Sequence, residues 1–140
     1  MKHAAATLLV AAPLALGSTA TLACTPGADG MKMTGPSDGS TENAPVVLIK
    51  TNPDKPPVRQ PFLANIHLCD GADKVERVSI DATMPAHRHG MNYKPTLKKL
   101  GPDRYAVEGM LFHMPGVWRF HVTLTVDGKP QRYVHDVRID

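Results

Sequence analysis

The chain has 140 residues, with 16 Lys and Arg against 13 Asp and Glu, and a net charge of +3 with neutral histidines. The basic residues are scattered among acids, with no run longer than Lys98-Lys99 and no basic stripe interleaved with aromatics, which argues against nucleic acid as a partner. Two cysteines are too few for a disulfide-framework fold, so the chain must be held mainly by an apolar core.

The first 23 residues read as an export signal. Lys2 and His3 open it, and Ala4 to Leu16 form an apolar run of 13 residues. That run is shorter than the roughly 20 residues a membrane-spanning helix needs. Gly17 to Ala23 then supply small residues of the kind a signal peptidase cuts after. The expected location is the periplasm or another extracytoplasmic space.

Thr21-Leu22-Ala23-Cys24 resembles a lipobox, with Thr21 where Leu is usual. Two outcomes stay open here. Cys24 carries a lipid, the chain's one route to a membrane, and leaves Cys69 unpaired as a soft metal ligand. Otherwise an ordinary cut leaves Cys24 free to pair with Cys69 in an oxidising compartment. Residues 24–45 are rich in Gly, Pro, Ser and Thr, and such composition predicts a flexible linker, in which Met31 and Met33 are incidental.

From Val46 the hydropathy period is two, which predicts strands. Val46 to Thr51 opens the domain. Phe62, Ala64, Ile66 and Leu68 share one face, with Leu63, Asn65, His67 and Cys69 on the other. Val78, Ile80, Ala82 and Met84 follow, then Tyr105, Val107, Gly109 and Leu111 against Ala106, Glu108, Met110 and Phe112. Trp118, Phe120, Val122, Leu124 and Val126 form the clearest buried face, and Tyr133, His135, Val137 and Ile139 close the chain. Asp70-Gly71, Gly101-Pro102-Asp103, Pro115-Gly116 and Asp127-Gly128 are turns. No helical period appears. An all-β, immunoglobulin-like antiparallel β-sandwich of about seven strands is expected over residues 46–140, with a small closed barrel as the alternative.

Two short segments carry the chemistry: Met84-Pro85-Ala86-His87-Arg88-His89-Gly90-Met91 and Phe112-His113-Met114-Pro115-Gly116-Val117-Trp118. Together they hold three of the seven histidines and three of the seven methionines. Pro and Gly place both segments at strand ends, where side chains can converge. His87 and His89, two apart, project to one side of an extended segment. Imidazole nitrogen and thioether sulfur suit copper, with sulfur favouring Cu(I). The candidate ligands are therefore His87, His89, Met84, Met91, His113 and Met114. The competing reading makes Met84 a core cap and the histidines exposed loop residues. His67, His121 and His135 read as solvated or hydrogen-bonded strand residues.

The same residues carry a family resemblance. Met84-Pro85-Ala86-His87-Arg88-His89-Gly90, then Tyr93, Pro95, Gly101, Tyr105 and Gly109, then Phe112 and Met114-Pro115-Gly116-Val117-Trp118, resemble the YtkA-like domain family. The likeness spans roughly residues 60 to 126. It implies a small exported bacterial domain of immunoglobulin-like fold, with a link to copper handling. His113 is an addition of this chain between Phe112 and Met114, and no family role extends to it.

No Ser stands beside a His and an acid in a nucleophile elbow, and no paired carboxylates occur, so a non-enzymatic protein is expected. Two functions of different class remain. One is an exported copper-binding or copper-delivering protein whose partner is a periplasmic or membrane metalloprotein. The other is a structural or interaction module without metal.

Overall fold

The computed structural model describes residues 24–36 and 44–140. The leader over residues 1–23 and the linker stretch 37–43 lie outside the described residues. Nine strands are present among the described residues: β1 (Met31–Lys32), β2 (Val46–Asn52), β3 (Pro61–Cys69), β4 (Val75–Met84), β5 (His89–Gly90), β6 (Thr96–Lys99), β7 (Arg104–Leu111), β8 (Gly116–Val126) and β9 (Lys129–Ile139). Six of them (β2, β3, β4, β7, β8 and β9) are the strands read from the alternating pattern; β6 is not among these, and β1 and β5 have two residues each.

They form two antiparallel sheets, ordered β1-β2-β3-β7-β6 and β5-β4-β8-β9. Hairpins join β2 to β3, β6 to β7 and β8 to β9, while β3 to β4 and β7 to β8 cross between sheets. This is the immunoglobulin-like arrangement. Alternation explains why the sheets face each other. Phe62, Ala64, Ile66 and Leu68 of one sheet meet Trp118, Phe120, Val122 and Leu124 of the other, all buried in one core. With two inner faces satisfied this way, the outward residues of β8 (Arg119, His121, Thr123, Thr125) are only half-buried.

Two expectations need correction. Strand β7 does not keep one parity. Tyr105 and Val107 are buried, but so are Met110 and Phe112, while Gly109 is exposed. Ala64 of β3 pairs with Val107 and Phe62 with Met110, so β7 spends one extra residue across the same span. Gly109 absorbs it at φ 78°, a conformation natural to glycine and costly elsewhere. The bulge exchanges the faces for everything after it, and this brings Phe112 inward.

The second correction concerns the linker. Residues 24–36 lie on the sandwich. β1 pairs with β2, Met33 donates its N–H to Val47 O, and Thr34 exchanges two backbone hydrogen bonds with Val134 of β9. Met33 is 3% exposed and belongs to the core, whereas Met31 is exposed. The polar composition misled because one apolar anchor, backbone pairing to β2 and β9, and the Cys24–Cys69 bond suffice to dock a short segment on a sheet edge.

Candidate metal centre

At one end of the sandwich, Pro85–His87 make a single 3-10 turn after β4, and Arg88 reverses the chain at φ 54°. The reversal returns the backbone alongside β4, pairing His89 with Met84 and Gly90 with Thr83. Directly opposed residues of antiparallel strands share a face, so His89 stands on the side that holds the buried Met84. From the other sheet, the β7–β8 crossover delivers His113 and Met114 to the same end.

The rings converge there. His89 lies 4.9 Å from His113 and 5.8 Å from His87, centroid to centroid. Trp118 forms the floor, with its ring 5.7 Å from His89 and 5.2 Å from His113, both edge-on. Trp118 is itself fixed on two sides. Its face stacks on Phe112 at 4.6 Å and 13°, and its indole N–H donates to Met114 O at 3.0 Å. That second bond closes the Met114-Pro115-Gly116 corner against the indole, which is why a buried Trp is tolerated here.

The donor atoms divide clearly. His89 Nδ1 lies 3.2 Å from Gly90 O, a hydrogen bond that leaves Nε2 as the lone-pair nitrogen. His113 Nδ1 is buried with no hydrogen-bond partner. Such an atom carries a desolvation cost of about 1–3 kcal/mol unless something covers it. His87 is exposed at the rim. Met84 is 2% exposed, its methyl group seated over Gly116, where any Cβ would collide with it. Met114 packs on the core margin. Met91, also at that margin, donates its N–H to Ala82 O and lines an open groove with Tyr93 and His121 on the outer face of β4 and β8. The structure thus gathers His87, His89 and His113 into one ring cluster beside Met84 and Met114, and sets Met91 toward a neighbouring groove.

At the opposite end, Cys24 and Cys69 form a disulfide closing a sequence separation of 45. Its chemistry includes a residue read from the sequence only as a strand histidine. His67 is 6% exposed, with Cys24 Sγ at 3.6 Å from Nδ1 and 3.4 Å from Nε2. Its Nε2 also stands 3.2 Å from Asp103 Oδ2. Among the described residues, Cys24, His67 and Cys69 form a group whose ligand atoms all lie within 4.8 Å of one another, close enough to hold a metal were the sulfurs not bonded. The i, i+2 spacing of His67 and Cys69 on β3 was the signal, and the Cys24–Cys69 pairing was one of the two outcomes the sequence left open; Asp103 required the fold.

His121 behaves as its strand position suggested. Its Nε2 lies 2.7 Å from Thr83 Oγ1, and burial, then Arg132, holds its pKa below the ordinary imidazole value against the pull of Asp81.

A sequence model of the YtkA-like family matches residues 46–123, more than half of the chain. The protein is a small immunoglobulin-like β-sandwich with His and Met residues clustered at one end. It belongs to the YtkA-like family. No curated protein and no solved structure matches it.

Proposed function

We propose that this is an exported copper-binding protein that takes Cu(I) at the histidine end and hands it to a periplasmic or membrane metalloprotein. The observation that carries the reading is the run of three imidazole rings, His87 to His89 at 5.8 Å and His89 to His113 at 4.9 Å, with the His113 Nδ1 buried and without a hydrogen-bond partner. The donors fit the ion. Neutral nitrogen and thioether sulfur favour Cu(I) over Mg(II) or Ca(II), which demand oxygen. His87, His89 and His113 would supply nitrogen and Met84 or Met114 sulfur, with Met91 held in the adjoining groove. Burial of Met84 beside an exposed His87 suits a site entered from the rim, as transfer to a partner requires. A disulfide between Cys24 and Cys69 is consistent with export to an oxidising compartment and, by occupying the Cys24 sulfur, favours the paired cysteine over lipid attachment. The role is binding and not catalysis.

The test is anaerobic Cu(I) titration of the disulfide-bonded protein, with Cu(I) supplied as its acetonitrile complex against a competing chelator. The His87→Ala, His89→Ala double variant should lose more than about 100-fold in affinity, since removing ligands must exceed the 10–100-fold that outer-sphere changes cost. Its circular dichroism should match the parent's. Unchanged Cu(I) affinity in that variant would falsify the reading and favour a metal-free interaction module.

A further inference from the structure

We infer that Cys24, Cys69 and His67 form a second, redox-gated metal site, closed by the disulfide and opened by its reduction to take one Cu(I). The histidine end shares none of these residues, so the inference stands apart from the function proposed above.

Three features point to it. The imidazole turns its nitrogens to the sulfur, with Nε2 at 3.4 Å and Nδ1 at 3.6 Å from Cys24 Sγ, and when Nε2–H donates to Asp103 Oδ2, Nδ1 keeps a lone pair for a metal. A carboxylate on the far nitrogen is the usual outer-sphere support of a metal-bound histidine. Asp103 is itself fixed, because Leu68 N–H donates to its carbonyl at 2.8 Å. Finally, the group is reachable. Cys24, His67, Cys69, Asp73 and Asp103 line an open pocket whose carboxylates favour the approach of a cation.

Reduction consumes two electrons and two protons. A dithiol reductant gives them up and becomes a disulfide, while the Cys24–Cys69 bond breaks to two thiols. Binding Cu(I) then displaces the two thiol protons and forms two S–Cu bonds and one N–Cu bond. Two sulfurs on one ion stand roughly 3.8 Å apart for metal–sulfur bonds of about 2.3 Å, so they must separate on reduction. Cys69 is held in β3, but Cys24 belongs to no strand, and its side chain can make the movement. His67 is nearly buried and can stay in place.

The experiment compares Cu(I) stoichiometry of the full chain in two forms. One is disulfide-bonded; the other is reduced with a phosphine and desalted without oxygen. The reduced protein should bind one more equivalent, with thiolate-to-metal charge-transfer absorption in the ultraviolet that the oxidised protein lacks. Asp103→Asn should weaken only that increment, by about 10–100-fold. Cys24→Ser should abolish it while its circular dichroism matches that of the reduced parent, which separates ligand loss from unfolding. The His87→Ala, His89→Ala variant should keep it. Equal stoichiometry in both forms overturns the inference, as does an increment that survives Cys24→Ser or appears with Zn(II) and not with Cu(I).

Discussion

The two ends of the sandwich gather soft donors in opposite ways. They are separated by most of the length of β3 and β7: Pro61 pairs with Leu111 at the histidine end and His67 with Arg104 at the cysteine end. At about 3.3 Å per residue that is on the order of 20–25 Å. At the histidine end the donors are imidazoles and thioethers on corners, and an aromatic cluster of Phe62, Phe112 and Trp118 lies beneath them. At the cysteine end the donors sit on a strand and an N-terminal segment, a covalent bond holds them, and a carboxylate faces the imidazole. The first end holds no thiol pair for a disulfide to close. The second has two of its three donor atoms bonded to each other. One core therefore supports two donor sets that answer to different conditions.

Removing the aromatic floor should separate the ends most sharply. Trp118→Ala is expected to cost about 3–5 kcal/mol, a large part of the stability of a small domain, because it removes the largest fully buried side chain and the stacking partner of Phe112. Thermal unfolding checks this, and a nearly unchanged melting temperature would mean that the indole does not hold the histidine end together. Breaking the covalent end should cost less. Cys24→Ser is expected to lower stability by about 2–4 kcal/mol in denaturant titrations through the freed loop, while leaving Cu(I) binding by the oxidised-state histidine site intact.

Gly116→Ala is a finer probe. Its φ of 131° disfavours any side chain, and the new methyl must push the Met84 methyl aside. A loss of about 1–3 kcal/mol is expected, with weaker Cu(I) binding at the histidine end and no change in the increment gained on reduction. A change confined to the increment would couple the ends that the fold keeps apart.

The smallest effect belongs to neither end. Burial lowers the pKa of His121, helped by Arg132 and Arg119 and opposed by Asp81 and Asp136; burial also lowers that of His135, opposed by Asp136. Both rings are more readily protonated in the unfolded chain than in the fold. Their stabilisation is full above the unfolded value of about 6.5 and is lost as pH falls through it toward the lower folded values. The melting temperature should therefore drop between about pH 7 and pH 5, and less so in the His121→Gln, His135→Gln variant. An equal drop in that variant would assign the acid sensitivity to the ends.

Much of this was legible in the chain. Alternation from Trp118 to Val126 named the inner face of β8 because no residue interrupts its parity. The Pro-Gly corners located the histidine cluster because strand ends in a sandwich meet. Parity failed in β7, where a glycine looks the same in a regular strand and in a bulge, and only the pairing with Phe62 and Ala64 distinguishes them. The cysteine site was legible in part: His67 and Cys69 share a face in any strand and Cys24 pairing with Cys69 was one of two open outcomes, but the docking of the segment that carries Cys24 and the approach of Asp103 came only with the fold.

That docked segment has a consequence for how other proteins can meet this one. β1 covers part of the free side of β2, and Thr34 bridges to β9, so the strap laces together one flank of both sheets. On the other flank the outermost strands are the two-residue β5 and the four-residue β6, which carries Lys98 and Lys99. Short, charged borders make poor templates for adding a foreign strand. Recognition by backbone pairing is disfavoured along this second flank, whereas on the strapped flank the eleven-residue β9 is met, among the described residues, by Thr34 at Val134 alone.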